Sequence, residues 1–129
     1  MPTRQARAVL SAEVTREDAV FNLGRVALLV NALAQGHADN LRVATQDRLH
    51  QPARAGIFPA MKYVIRAAES AGALCAFLSG GGSSVLALAA SRFMTIGFEM
   101  ADAADKLGCP ASIRITAPSA LGAHVVSRN

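Results

Sequence analysis

The chain has 129 residues, of which 52% are hydrophobic and 17% are charged. A chain of this length folds around one core, which excludes a multidomain protein, and we expect a single domain over residues 1–129. The sequence is too apolar to be disordered. Its formal charge of +4 comes from basic residues spread along the chain, so it predicts no nucleic-acid partner.

The sequence also argues against a membrane or secreted protein. Its longest apolar run, Ala71 to Leu78, is far shorter than the roughly 20 residues that a membrane-spanning helix needs. The basic amino-terminal segment is not followed by the apolar stretch of a signal peptide. We therefore expect a cytoplasmic protein with no membrane partner. Cys75 and Cys109 are too few for a disulfide scaffold or a zinc site, and both are expected to be small core residues.

Arginine is the preferred basic residue, with eleven arginines and two lysines among the 13 basic residues. The planar guanidinium forms paired hydrogen bonds with carboxylates and phosphates, so this preference is compatible with a small anionic ligand. An arginine-preferring, GC-rich genome would produce the same composition. Composition alone leaves both explanations open.

The first half of the chain is predicted to be helical. Thr15 to Asp18 has the pattern of a helix-capping box, and the helix that it begins is expected to end at Gln35-Gly36. A shorter helix is expected from about Asp39 to Leu49. It is expected to end before Pro52, because the residue before a proline disfavours the helical conformation, so Gln51 to Gly56 is predicted to be a loop. Apolar residues at helical spacing predict a buried stripe on the first helix: Ala19, Leu23, Val26, Ala27, Val30 and Leu33.

The next segment combines a helix with two strands. Pro59 fits the first turn of a helix that ends at Gly72. The apolar runs Ala73 to Leu78 and Val85 to Ala90 predict two buried strands joined by a glycine-rich turn. The buried stripe of the helix is predicted to consist of Met61, Val64, Ile65 and Ala68.

The last segment completes the predicted fold. Phe93 to Leu107 has the spacing of a fourth helix, Ile113 and Ile115 alternate with polar residues as in a third strand, and residues 123–126 fit a last short strand. This order predicts the α+β class: a ferredoxin-like domain that lacks its first strand, with helices packed on one face of a small antiparallel sheet.

The most informative local feature is a loop with three consecutive glycines between the two predicted strands. Glycines leave backbone amides free to bind an anion, or let another backbone approach closely. The loop is not a Walker A motif, because no Gly-Lys-Ser/Thr follows and a strand comes next. A structural turn and a phosphate cradle both remain open. The loop consists of Ser79, Gly80, Gly81, Gly82, Ser83 and Ser84.

The wider stretch, Gly72 to Leu88, resembles the third conserved motif of the GHMP kinase superfamily and in particular of its homoserine kinase family. Thr3 to Leu10 resembles the Thr-x-x-Ala-Arg segment of that family, Asp18 to Arg25 its following helix, and Asp47 to Arg54 its substrate loop. The matches occur in family order and cover nearly the whole chain.

This resemblance implies an ATP-dependent transfer of phosphate to the hydroxyl of L-homoserine, a step towards threonine. The family has two domains, and its amino-terminal domain carries the phosphate loop Pro-x-x-x-Gly-Leu-Gly-Ser-Ser-Ala, which this sequence does not contain. The chain therefore resembles the carboxy-terminal domain alone, which is expected to be inactive without its amino-terminal partner. ATP and Mg²⁺ are implied for the parent enzyme, and no cofactor is expected for this chain alone.

The resemblance also implies site residues. Thr3, Arg7 and Arg54 match positions that hold homoserine, and the loop from Ser79 to Ser84 supports the nucleotide pocket. A guanidinium is well suited to hold the amino-acid carboxylate, whereas neither a nucleophile nor a metal ligand is expected. His50 is expected to be a loop histidine that the protein itself satisfies, and the alternative is a contact on the phosphate side of the site. In the loop, Gly81 stands where the family usually has Ala, and Ser83 where it has Pro.

Two alternatives remain. One is a free-standing ferredoxin-like module that binds a ligand or a protein without catalysis, and the other is a GHMP kinase for another small alcohol. If a strand is missing before Thr3, a sheet edge and an apolar face are left uncovered. We therefore expect the chain to self-associate.

Overall fold

A computed structural model describes residues 2–127 and shows helices packed against a small antiparallel sheet. The predicted α+β class is confirmed. Within the described residues there are six α-helices, two strands and one 3₁₀ turn at Ala38–Asn40. The elements are α1 (Thr3–Ala8), α2 (Arg16–Gln35), α3 (Leu41–Ala44), α4 (Gln51–Ala55), α5 (Met61–Ser70), β1 (Cys75–Leu78), β2 (Val85–Leu88) and α6 (Phe93–Asp105).

The core is formed by two apolar clusters that meet at β1. Strand β1 pairs antiparallel with β2, with Cys75 opposite Leu88. Cys75 is fully buried and belongs to a cluster with Ala32 of α2 and Leu41 of α3. Its neighbour Ala76 belongs to the second cluster, which contains residues of α5 and α6. The first of the two predicted core cysteines is therefore confirmed, whereas Cys109 is exposed and its prediction is wrong.

Helix α2 has the predicted ends but not the predicted buried face. The Thr15 hydroxyl accepts a hydrogen bond from the Asp18 amide (3.1 Å), and Gly36 ends the helix with a positive φ of 71°. The predicted stripe is mostly exposed: Leu23 is 70% exposed and Val30 is 62% exposed. Helix α2 instead buries Ala32, and no element of residues 2–127 covers the stripe.

The segment between α2 and α5 contradicts two predictions. The helix expected from Asp39 to Leu49 consists of the 3₁₀ turn and α3, and it ends at Thr45, whose hydroxyl donates to the Leu41 carbonyl (2.9 Å). Residues 51–56, predicted to be a loop, contain α4. Its first amides need an acceptor, and the Asp47 carboxylate supplies one.

In the second half of the chain the predicted elements are present as far as α6, although β2 was predicted to be buried and is only half-buried, with Leu86 40% exposed. Helices α5 and α6 and both strands lie within their predicted ranges, and Met61, Val64 and Ala68 of α5 are buried. The strands predicted around Ile113 and at residues 123–126 are absent from the described chain. Ile113 packs on α6 instead: a Cβ on Gly97 would lie 2.8 Å from its Cγ2 atom.

None of the helices described in residues 2–127 is both long and apolar enough to cross a membrane.

Candidate functional site

The guanidinium of Arg54 joins three segments of the predicted site. Arg54 lies on α4, and only 8% of its surface is exposed. Its Nε donates to the carbonyl of Ala6 on α1 (3.1 Å), and its Nη1 donates to the carbonyl of Gly80 (3.0 Å) and lies 3.0 Å from Nδ1 of His50. Arg54 therefore fixes α1 and the glycine loop relative to α4.

Of the Arg54 donors, Nη2 has no partner within residues 2–127. Both hydrogens of Nη1 are used by the protein, as is the single hydrogen of Nε. A carboxylate that reached this guanidinium would thus find Nη2 available without breaking a protein contact.

The glycine loop closes on itself and leaves several amides free. The Ser79 amide donates to the Ser84 carbonyl (2.9 Å), and the Gly82 amide donates to the Ser79 carbonyl (3.1 Å). In the described part of the chain, the amides of Gly80, Gly81 and Ser83 donate no hydrogen bond. The loop therefore presents donors of the kind that bind an anion.

Helix α1 lies against this loop. Ala6 is fully buried, and a Cβ on Gly81 would lie 3.5 Å from the Ala6 Cβ, an ordinary van der Waals contact. Thr3 and Arg7 lie on the same helix and are exposed. The structure therefore brings together the three segments that carry the predicted site residues. Within residues 2–127, however, the Arg7 side chain forms no hydrogen bond with Arg54 or with the loop.

Asp47 organises the segment that carries Arg54. Its carboxylate accepts hydrogen bonds from the amides of His50 (2.8 Å) and Gln51 (2.6 Å) and from the side chain of Asn22 on α2 (2.6 Å). Burial acts to raise the pKa of Asp47, but the hydrogen bonds, above all those from the Gln51 amide and the Asn22 side chain, outweigh it and hold that pKa below its usual value. Asp47 is therefore ionised at neutral pH.

Gln51 connects this segment to the sheet. Its Oε1 accepts a hydrogen bond from the amide of Leu78 (3.0 Å), the last residue of β1 and the one directly before the glycine loop. The sequence alone did not predict a role for Gln51 or Asn22, and it predicted Asp47 only as a possible ion-pair partner of an arginine. The sequence did contain a signal for helix α4, because Asp47 precedes Gln51-Pro52 by four residues. Proline is favoured in the first turn of a helix, and a carboxylate before that turn can accept hydrogen bonds from its first amides.

Comparison with known proteins places these segments in a family. Residues 22–93 match the sequence family described as GHMP kinases C terminal. The chain belongs to this family. The resemblance to GHMP kinases is thereby confirmed.

Several relatives similar to this chain are homoserine kinases. The chain is 42% identical over 126 residues to the homoserine kinase of Moorella thermoacetica, a match that covers 98% of this chain and 43% of that protein. It is 48% identical over 89 residues to a homoserine kinase of Thermus thermophilus, covering 69% of this chain and 30% of the relative. The chain thus spans less than half the length of these relatives.

A solved structure agrees with the sequence comparison. The crystal structure of homoserine kinase from Cytophaga hutchinsonii superposes with a TM-score of 0.78 and 32% sequence identity, over 83% of this chain and 35% of that chain. The fold of the described residues is therefore that of the carboxy-terminal part of a GHMP kinase.

GHMP kinases are ATP-using enzymes, and Mg²⁺ normally accompanies ATP. Mg²⁺ is bound through carboxylates together with substrate phosphates. Residues 2–127 contain no group of three His, Cys, Asp or Glu side chains that could hold a metal ion, and the glycine loop contains no carboxylate. The described residues therefore offer no cluster of three such side chains that could hold Mg²⁺ without further ligands.

Proposed function

We propose that this chain is the carboxy-terminal domain, residues 1–129, of a homoserine kinase that transfers phosphate from ATP to the hydroxyl of L-homoserine. Similarity to homoserine kinases over nearly the whole chain supports this proposal. The structural observation that carries it is the Arg54 guanidinium, which joins α1, α4 and the glycine loop. These are the three segments in which the substrate and nucleotide residues are expected. The reaction belongs to threonine biosynthesis, and we expect it in the cytoplasm.

In this proposal Arg7 and Arg54 hold the carboxylate of homoserine. The free Nη2 of Arg54 donates to one carboxylate oxygen, and the exposed Arg7 on the adjacent α1 supplies a second cation. Thr3, also exposed on α1, hydrogen-bonds the hydroxyl end of the substrate. A fixed carboxylate positions the hydroxyl for phosphoryl transfer, which depends mainly on positioning and charge neutralisation.

The glycine loop supports the nucleotide pocket in this proposal. The free amides of Gly80, Gly81 and Ser83 are donors suited to phosphate oxygens, and Ser79, Gly82 and Ser84 complete the loop. The principal ATP contacts and any Mg²⁺ ligands belong to an amino-terminal kinase domain outside this chain. The chain alone is therefore expected to have no activity.

A chimaera tests the proposal. The chain is fused behind the part of the Moorella thermoacetica homoserine kinase that it does not match, and ADP release is measured with ATP, Mg²⁺ and homoserine. We expect turnover by the chimaera and none by the 129-residue chain. Turnover with another small alcohol, but not with homoserine, would select a different GHMP kinase, and turnover by the isolated chain would refute the need for a second domain.

A matched pair of variants tests the carboxylate site in the same chimaera. Arg7→Ala should raise the KM for homoserine about tenfold or more, since it removes a charged hydrogen bond to the substrate. Arg16→Ala removes another exposed arginine, at the start of α2, and should leave KM unchanged. Equal effects of the two variants would contradict a carboxylate site at α1.

A further inference from the structure

The contact between Arg54 and His50 fixes the protonation of the histidine ring. Nη1 of Arg54 lies 3.0 Å from Nδ1 of His50. A guanidinium has only donors and stays charged, so the ring nitrogen that faces it must accept the hydrogen bond. A protonated imidazole has no acceptor. His50 in this contact is therefore neutral and carries its proton on Nε2.

Asp47 lies on the other side of the same ring. Its Oδ1 atom is 3.7 Å from Nε2 of His50, and its side chain is only 6% exposed. This distance is too long for a hydrogen bond, but a negative charge so close favours the tautomer whose N–H faces it. The carboxylate cannot turn away, because the amides of His50 and Gln51 and the Asn22 side chain hold it.

We propose that His50, kept in its Nε2–H tautomer by Asp47, is a positioning residue that orients the Arg54 guanidinium by accepting a hydrogen bond from Nη1. The proposal rests on the proposed function, in which Arg54 binds the homoserine carboxylate. His50 and the Gly80 carbonyl together occupy both hydrogens of Nη1, and the Ala6 carbonyl occupies Nε. The guanidinium can then neither rotate nor flip, and Nη2 remains the one nitrogen available to a ligand.

Nuclear magnetic resonance of the full 129-residue chain tests the tautomer directly. The chain contains only three histidines, His37, His50 and His124, so the ring of His50 is assigned by the signals that disappear in His50→Gln. Long-range ¹H–¹⁵N spectra over a pH series should show the neutral His50 ring in the Nε2–H form. A neutral ring with its proton on Nδ1 would overturn the proposal.

Hydrogen exchange at Arg54 tests the positioning role. In His50→Leu, which removes the acceptor, the Nε–H of Arg54 should exchange about tenfold faster, because the guanidinium is held by fewer acceptors. In His50→Gln an amide oxygen can replace Nδ1, and exchange should stay near the wild-type rate. His37→Gln changes an exposed histidine outside this contact and serves as the control.

These outcomes are independent of enzymatic activity. Equal exchange in His50→Leu and wild type would contradict the positioning role, and so would acceleration of the same size in His50→Leu and His50→Gln. Far-ultraviolet circular dichroism of both variants checks that they remain folded. An inactive chimaera would refute the proposed function. The nuclear magnetic resonance spectra of the ring would still test the tautomer of His50.

Discussion

At the scale of single residues, Arg54 combines a structural role with a proposed binding role. A nearly buried guanidinium needs acceptors for most of its hydrogens, and here two carbonyl oxygens and one imidazole nitrogen supply them. These acceptors come from α1, the glycine loop and the residue before α4. Loss of the side chain should therefore affect folding as well as substrate binding.

Arg54→Ala should lower the free energy of unfolding by about 2–3 kcal/mol, because charged hydrogen bonds to Ala6 and Gly80 are lost and the carbonyl of the buried Ala6 is left without this donor. Arg54→Lys should be nearly as destabilising, since an ammonium cannot reach the same acceptors in the same geometry. Arg7→Ala, at an exposed position, should change stability by no more than about 0.5 kcal/mol. Urea denaturation followed by circular dichroism measures all three, and equal losses for Arg54→Ala and Arg7→Ala would contradict this role.

At the scale of elements, α4 depends on its capping carboxylate. Asp47→Ala should lower the free energy of unfolding by about 1 kcal/mol at pH 7, because the amides of His50 and Gln51 lose their acceptor. The pKa of Asp47 is lowered in the folded chain, so its contribution is complete above the unfolded pKa of about 4 and disappears as the pH falls further.

Urea midpoints at pH 7 and at about pH 2.5 measure this dependence. The difference between Asp47→Ala and wild type should be smaller at the lower pH. Glu13→Ala removes an exposed carboxylate before α2 and should show little effect at either pH. A difference that does not change with pH would mean that the charge of Asp47 contributes nothing to the cap.

The glycine loop allows a second prediction at the scale of elements. Gly81 has no positive φ, and an added Cβ would make an ordinary contact with Ala6. Gly81→Ala should therefore raise the free energy of unfolding by about 0.4–1 kcal/mol, because the unfolded chain loses conformational freedom. Gly80 has a φ of +58° with open space around it, so Gly80→Ala should destabilise by about 1 kcal/mol through backbone strain alone.

Thermal unfolding of the two variants distinguishes these effects. The midpoint should rise for Gly81→Ala and fall for Gly80→Ala. The same direction of change in both variants would show that backbone conformation does not decide which glycine of the loop is replaceable.

The elements that the sequence predicted are those whose signals are local. The capping box at Thr15 and the helical spacing of α5 lie within the elements that they specify, and the structure confirms both. Helix α4 was missed although Asp47 and Pro52 provide a local signal for it, and the orientation of Asp47 also depends on Asn22, 25 residues earlier. Sequence spacing does not show such a contact.

The predicted third strand failed for a different reason. Alternation at Ile113 and Ile115 indicates a strand only if another strand is available to pair with it, and within residues 2–127 the segment packs on Gly97 of α6 instead. The candidate site was predicted by family resemblance at Arg54, whereas the partners of its guanidinium, His50 and two carbonyl oxygens, required coordinates.

At the scale of the whole molecule, the described residues leave a large apolar face uncovered. Val20, Leu23, Val26, Val30 and Leu33 lie along α2 and are each about 60–70% exposed. A contiguous apolar face of this kind marks an interaction surface. Residues 2–127 also contain only a two-stranded sheet, whose outer edges have unpaired backbone groups.

The proposed self-association of the chain follows from this face, and a second copy that packs α2 against α2 would bury it. Multi-angle light scattering at tens of micromolar protein should give a mass above the 13.4 kDa of one chain. Leu23→Lys with Val30→Lys places two charges in the centre of the face and should return the mass to that of a monomer, because a buried unpaired charge opposes association. Met94→Lys changes an equally exposed apolar residue on α6 and should leave the mass unchanged. A monomeric wild-type chain would refute the self-association proposal. If the chain still associates in the α2 double variant but not in Met94→Lys, the interface lies on α6 and not on α2.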